Sequence, residues 1–502
     1  MFSGINDYKI LLVAVNSSYI HTNPAVRKLA QVADATWCEF NINQPLNDML
    51  HAIYQRKPRI VAFSCYIWNI QYVLRLAQDL KKILPKVKVL LGGPEVSFDA
   101  RALMERHACI DAVVCGEAEE VLQQVLQALE TGDACGVEGA LFRTKKDIIG
   151  TDKYIYVPNF SALGQETEEY DKNKIYYYES SRGCPFGCAY CLSGTDVPMR
   201  EKPVTQVKKE LAVFVDGGAR LVKFTDRTFN ANKTRAAEIL NYVIWETGET
   251  AYHFEIALDL VDDAFLDALR NAPKDKVQLE AGVQTCNQRT LDAAVRKTNM
   301  TKLKNNAKRI MEMGTVHLHL DLIAGLPYEG MQSFEDSFNQ IYALYPHYLQ
   351  LGFLKLLKGS RLREEAGKYD IRYREYPPYE VLETADITAG ELFLLKGMEE
   401  MVNRYYNTGR ARRALDYLTK EEGIAPFGYY RSLNDYCIKM GYYKRPVSAA
   451  DQFHILIWHA KECLAKVNQT QFLTLLKYDY MQTRIKGRMP KELEEIKIDA
   501  DI

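Results

Sequence analysis

No stretch of this 502-residue chain approaches the roughly 18 to 20 consecutive apolar residues that a membrane-spanning helix needs; its apolar runs, such as Ile60–Cys65, are far shorter. Charge of one sign is also missing. The 64 Lys and Arg face 65 Asp and Glu, a formal net charge of -1, which argues against a polyanionic partner such as nucleic acid. There is no internal repeat, no low-complexity tract, and too few cysteines (11) for a disulfide scaffold. The first eight residues are polar and carry Asp7 in place of a basic stretch followed by an apolar one, unlike a secretory signal. A reducing, cytoplasmic setting is therefore expected. What remains is an ordinary globular composition, 47% hydrophobic and 26% charged, and a length that suggests about three domains at roughly 150 residues each.

The first third alternates strand-like and helix-like segments, the pattern of a parallel sheet with crossover helices. Strands are expected at Lys9–Val15, Thr36–Ile42, Arg59–Cys65, Val87–Leu91 and Asp111–Cys115. Their Val, Ile and Leu content suits burial on both faces. Ile70, Val73, Leu74, Ala77, Leu80 and Leu84 recur at helical spacing, as do Val121, Leu122, Val125, Leu126 and Leu129. The expected fold class is α/β, beginning with a doubly wound, Rossmann-like five-stranded sheet over residues 1–158 and closed by a hairpin at Gly139–Val157. A linker follows at 159–174. Six further strands (Ile175–Ser181, Leu221–Asp226, His253–Leu258, Val277–Gln284, His317–Ile323, Tyr348–Leu356) make a partial (β/α)6 barrel at 175–362. A helical, Tyr-rich extension completes the chain at 363–502.

Ligands of doubly wound sheets lie beyond the carboxyl ends of the strands. Those ends here are polar and glycine-rich: Ser17 after the first strand, Ser64 and Tyr66 at the third, Gly92, Gly93 and Glu95 at the fourth, and Gly116 and Glu117 at the fifth. Glycines there let backbone amides approach a ligand, although Gly-Gly-Pro also simply turns a chain.

The strongest signal is Glu-Ser-Ser-Arg-Gly-Cys-Pro-Phe-Gly-Cys-Ala-Tyr-Cys, which places Cys184, Cys188 and Cys191 in a CxxxCxxC spacing directly after the first barrel strand. Three thiolates can hold three corners of a 4Fe-4S cluster and leave the fourth iron open to a chelating ligand. Zinc is the competing metal, but no histidine lies near the triad to close a tetrahedral site. At these residues, with Tyr190 before the last cysteine, the sequence resembles the radical S-adenosylmethionine superfamily. That resemblance implies a cluster whose open iron is chelated by S-adenosylmethionine, cleaved reductively to a 5'-deoxyadenosyl radical with electrons from a flavodoxin or ferredoxin. It further implies cofactor contacts by Asp226 (in Phe-Thr-Asp-Arg), Glu255, Gln284 and Gly325 at successive strand ends.

Joined to such a barrel, the first domain resembles the cobalamin-binding domain of cobalamin-dependent radical S-adenosylmethionine enzymes. The resemblance implies corrin contacts by the strand-end residues named above. The Asp-x-His-x-x-Gly of many cobalamin carriers is absent, since Asn16–Asn23 gives His21 no such context. Cobalt without histidine ligation is therefore expected, its lower face covered by the segment carrying Tyr66 and Trp68, both of which could instead be packing residues. No Gly-x-Gly-x-x-Gly follows the first strand, against a dinucleotide. In the extension, Arg404, Tyr405, Tyr406, Arg410, Arg412, Arg413, Phe427, Tyr429, Tyr430 and Arg431 could grip a substrate or simply pack. The leading function is methyl transfer to an unactivated carbon of a small-molecule or peptide substrate. The alternatives are radical rearrangement or cyclisation, then transfer-RNA methylthiolation, then a non-catalytic cobalamin carrier.

Overall fold

The computed structural model describes residues 10–160, 170–194, 199–444, 446–483 and 488–496. The starts of the first strand and of the chain, and most of the linker, lie outside the described residues. Two compact units result: one runs to Gln278 and adds Leu356–Glu364 and Arg374–Tyr379, and the other holds Leu279–Lys355, Glu365–Tyr373 and the chain from Glu380.

In the first unit, β1 (Ile10–Asn16), β2 (Thr36–Asn41), β3 (Ile60–Ser64), β4 (Lys88–Gly92) and β5 (Ala112–Val114) form the expected parallel sheet. The hairpin strands β6 (Ala140–Arg143) and β7 (Ile148–Gly150) do more than close the domain. They extend the sheet antiparallel at its edge, giving the order β2-β1-β3-β4-β5-β6-β7. Alternate side chains of β1 enter separate cores: Leu11, Val13 and Val15 on one face, Leu12 and Ala14 on the other. This two-sided burial is why the strands read as apolar runs. Helix Ile70–Ile83 covers one face with Ile70, Val73, Ala77 and Leu80, as its spacing predicts, and with Leu76 as well.

A second parallel series begins with β8 (Ile175–Tyr178). Where one strand to Ser181 was expected, the chain turns, and β9 (Ser181–Arg182) instead pairs antiparallel with β10 (Arg200–Glu201). The series continues with β11 (Leu221–Phe224), β12 (Ala251–Glu255) and the start of β13 (Val277–Gln284), in the order β13-β12-β11-β8. Within the second unit the order is β15-β14-β13, with β14 (His317–Ala324) parallel to β15 (Tyr348–Phe353).

The extension is helical, as expected, except for a small antiparallel pair, β16 (Arg372–Tyr373) and β17 (Val381–Glu383), too short to show an alternating pattern. Its tyrosines pack. Tyr405, Tyr406, Tyr429, Tyr430 and Phe427 are at most 1% exposed, and the Arg412 guanidinium lies 4.8 Å from the Tyr406 ring centre. Among the described residues no helix is long and apolar enough to cross a membrane.

His459 is fully buried there, its Nε2 2.9 Å from Ser432 Oγ. Burial disfavours its charged form and pushes it from 6.5 down to about 4. A depressed histidine favours the fold above its unfolded value, and that contribution fades as pH falls through the folded one. Urea denaturation should therefore show stability dropping between about pH 6.5 and 4, by on the order of 3 kcal/mol. His459→Gln should flatten this slope; an unchanged slope would show that other groups set it.

Candidate active site

The cysteine loop is built on buried polar anchors. Asp226, just past β11 and completely inaccessible, accepts Ser180 N–H at 2.8 Å on one oxygen, and on the other the hydroxyls of Ser180 at 2.5 Å and Ser181 at 2.8 Å. Burial raises its carboxyl above the ordinary range, and the serine bonds draw it back. Arg235 Nη2 donates to Ser180 O and Oγ at 2.9 and 3.0 Å, setting a positive charge beside it. Asp226, expected as a cofactor contact, holds the entry to the loop through these bonds.

One residue on, Arg182 meets three carboxylates: Glu117 at 2.9 Å, Glu119 at 2.8 Å and Glu179 at 2.7 Å. Glu117 is also bidentate to Arg200, both contacts at 2.8 Å, and accepts Val157 N–H at 2.7 Å. These partners, despite the cost of burial, hold its carboxyl below the usual range. Glu117, expected as a corrin contact, is therefore a tie between β5 and the cysteine loop. Beyond Arg182, Gly183 takes φ +98°, which favours glycine. Across the loop, a side chain at Gly194 would collide with the Phe186 carbonyl, so the chain doubles back on itself at close range.

Cys184 and Cys191 are half-buried, Cys188 is buried and Tyr190 between them is half-buried. Cys184 Sγ lies 3.3 Å from Thr228 Oγ1, and Ser193 N–H donates to Cys191 Sγ at 3.4 Å. Burial pushes the Cys184 thiol up, so a thiolate here needs a cation in contact. A three-thiol donor set on a tight, partly open loop fits a cluster held by three cysteines. Sequence reasoning missed Arg227, although a cation directly after Asp226 at a strand end was a usable signal. Its guanidinium is 3.6 Å from Glu255, whose carboxylate favours its charged form. An ion pair this exposed adds little stability. Its consequence is a paired charge beside the cysteines.

At the carboxyl ends of the first sheet, Ser64 and Gly92 are register partners on adjacent strands. Asn69 shapes the turn after β3: its amide donates to Val15 O and Ser64 O and accepts Tyr66 N–H. The turn presents Tyr66 and Trp68 as a stacked pair, centres 4.4 Å apart, with Trp68 42% exposed. Trp68 Nε1 donates to Val15 O, and Ser64 Oγ accepts from Asn23. Ser17 is half-buried. The glycines separate into two kinds. Gly93 (φ +107°) would put a side chain 2.6 Å from Cys65 O, and Gly116 (φ +100°) would clash with the Ile155 backbone, so the fold itself requires both. Gly92 has neither constraint, and nothing lies within 4 Å of where its side chain would be. An unconstrained glycine, a serine and a stacked aromatic pair with its Trp68 exposed fit a flat ligand such as a corrin. Glu95 does not join them: it is buried and held by Lys358 at 3.1 Å and by the Tyr379 hydroxyl. His21 places Nδ1 2.7 Å from the Tyr177 hydroxyl.

In the second unit, Gln284 adopts φ +72° and folds its amide over Gly282. Gly325 takes φ +86°, and a side chain there would lie 2.7 Å from Val381 Cγ1. That glycine is explained by its turn and by Val381, where an adenine neighbour was expected.

Residues 10–126 match the B12 binding domain and residues 178–341 the Radical SAM superfamily. The chain thus carries, in order, the two domains that cobalamin-dependent radical S-adenosylmethionine enzymes combine. Residues 367–501 match a family described only as a protein of unknown function, DUF4080. Similar proteins include the cobalamin-dependent radical SAM methyltransferase TokK of Streptomyces tokunonensis, 22% identical over 87% of this chain and 69% of the relative. An uncharacterized methyltransferase, PH0819 of Pyrococcus horikoshii, is 24% identical over 64% of this chain and 72% of its own. In fold the chain is similar to OxsB, a cobalamin-dependent S-adenosylmethionine radical enzyme solved with aqua-cobalamin and S-adenosylmethionine. That match has a TM-score of 0.65 and 12% identity, over 94% of this chain and 78% of that one. TsrM of Kitasatospora setae, a radical S-adenosylmethionine methyltransferase, gives 0.62 at 15%, over 74% and 81%.

If Asp226 anchors the loop, Asp226→Ala strands Ser180 N–H and the Ser180 and Ser181 hydroxyls in a buried site. We expect a loss of about 3 kcal/mol in urea denaturation and incomplete iron uptake on anaerobic reconstitution. A variant with full stability and full iron content would remove Asp226 from this role.

Proposed function

We propose that the protein is a methyltransferase acting on an unactivated carbon of a small-molecule or peptide substrate. Bound together, the cluster with S-adenosylmethionine would supply a hydrogen-abstracting radical and the corrin a methyl group. The single observation that carries the reading is one compact unit holding both the three-cysteine loop and, at the ends of β3 and β4, the open Gly92 beside the Tyr66–Trp68 pair.

The chain's own residues have separable tasks. Cys184, Cys188 and Cys191 would hold the cluster, with Tyr190 beside them. Asp226, Ser180, Ser181 and Arg182 fix the loop that presents the thiols. Arg227 and Glu255 would offer a paired cation and anion to S-adenosylmethionine, the guanidinium suited to its carboxylate and the carboxylate to its hydroxyls. Ser17, Ser64, Tyr66, Trp68 and Gly92 would take the corrin. Three modules, bounded near residues 158, 174 and 362, divide these tasks, the helical one serving the substrate. An external one-electron donor of flavodoxin or ferredoxin type in a reducing cytoplasm completes the requirement.

Reconstituted anaerobically with iron, sulfide and cobalamin, the protein should show both an iron-sulfur band and a corrin spectrum, and form deoxyadenosine under strong reductant. Substituting Ala at Cys184, Cys188 and Cys191 should abolish deoxyadenosine while sparing corrin binding. Turnover that survives the triple change ends the proposal. With methyl-labelled S-adenosylmethionine and the true substrate, the product should gain one labelled methyl; an unlabelled, rearranged product would indicate cyclisation or rearrangement instead.

A further inference from the structure

The first unit recruits two short pieces from beyond the last barrel strand, Leu356–Glu364 and Arg374–Tyr379. They close on each other. Leu356 N–H donates to Tyr379 O at 2.9 Å, Arg363 Nη1 donates to Leu356 O at 2.7 Å, and the Arg363 guanidinium lies 4.7 Å from the Tyr379 ring centre. Gly359, at φ +80°, is pressed against the Phe98 ring, where a side chain would clash. The result is a strap with two grips.

One grip is on the first sheet. Lys358 Nζ reaches Glu95 Oε1 at 3.1 Å, Glu95 O at 3.3 Å and Asp99 Oδ2 at 3.0 Å, and the Tyr379 hydroxyl donates to the same Glu95 oxygen. Glu95 is tied in turn to the strand ends: its N–H donates to Cys65 O at 3.3 Å, and Cys65 N–H donates to Gly92 O at 2.7 Å. The other grip is on the cysteine loop, where Leu362 N–H donates to Ala189 O at 2.8 Å, between Cys188 and Tyr190.

We propose that Lys358 and Tyr379 are positioning residues that couple the corrin end of the first sheet to the cysteine loop through this strap. The inference rests on the cofactor reading above. The connection is short and made of directional contacts at both ends. Glu95 and Lys358 are 5% and 14% exposed, so their attraction is little weakened by water. A ligand seated against Gly92 and Ser64 that shifts Glu95 must move the strap or break its grip, and the strap's Leu362 N–H holds the Ala189 carbonyl next to Cys188. Simple adhesion between the parts would alter each cofactor's affinity separately. Coupling alters the effect of one on the other, and does so reciprocally.

The test uses the full chain with its cluster reconstituted. S-adenosylmethionine affinity is titrated by the change in the reduced cluster's electron paramagnetic resonance spectrum, with and without hydroxocobalamin; cobalamin affinity is titrated optically, with and without S-adenosylmethionine. For the unaltered protein, each ligand should change the affinity of the other by the same factor, at least about fivefold. In Lys358→Met and Tyr379→Phe both ligands should still bind, with the factor falling towards one, and Lys358→Arg should restore it. Tyr379→Phe removes a single hydroxyl and decides the matter should Lys358→Met fail to fold. The proposal is overturned if these variants keep the original factor, or if the unaltered protein binds both ligands with a factor of one. Absence of corrin or cluster from the unaltered protein would instead bring down the cofactor reading on which the inference stands.

Discussion

The Arg182 guanidinium, two residues before the first cysteine of the triad, is the contact on which the geometry of the site depends. Its donors are shared among Glu117, Glu119 and Glu179, three carboxylates brought from the end of β5 and the end of β8. A half-buried charge is tolerable only when its partners are complete, and breaking such a set commonly costs about 3 to 5 kcal/mol. The cost enforces position. Glu117 cannot leave Arg182 without also releasing Arg200 and Val157 N–H, so the cysteine loop is referenced to the first sheet as firmly as to its own strand.

Around that reference the polar residues fall into two classes with different energetics. Asp226, Glu95 and Glu117 are buried and satisfied by the chain itself. Arg227, Glu255, Trp68 and Gly92 are exposed or unconstrained, and the one ion pair among them is worth little to the fold. An enzyme that positions reactive cofactors needs both classes. Fully satisfied buried groups define where the loop sits, and open groups adapt to ligands only because the fold does not depend on them.

This division explains what was legible in sequence. The cysteine spacing and the strand positions were legible because each is a local pattern: three thiols in eight positions, and apolar runs punctuated by turns. β13 (Val277–Gln284) was even placed residue for residue. The split of Ile175–Ser181 into β8 and β9 was not legible, because the break is imposed by Asp226, some 45 residues away, gripping Ser180 and Ser181. Acidic residues after strands look alike in sequence whether they face a ligand or an arginine. Glu95 and Glu117 read as ligand contacts because Lys358, Tyr379, Arg182 and Arg200 reach them from distant parts of the chain.

Glycine shows the same limit most sharply. Gly92 and Gly93 are adjacent and indistinguishable by composition, yet one is required by a positive φ and the Cys65 carbonyl while the other has empty space beside it. Gly325 sits at the end of a barrel strand, where a cofactor neighbour was the natural expectation, and is occupied by Val381 from the segment of unknown function. A glycine that backbone strain and packing both demand says nothing about ligands. Only one that neither demands does, which makes Gly92 more informative about the first domain than the more conspicuous Gly-Gly-Pro turn containing it.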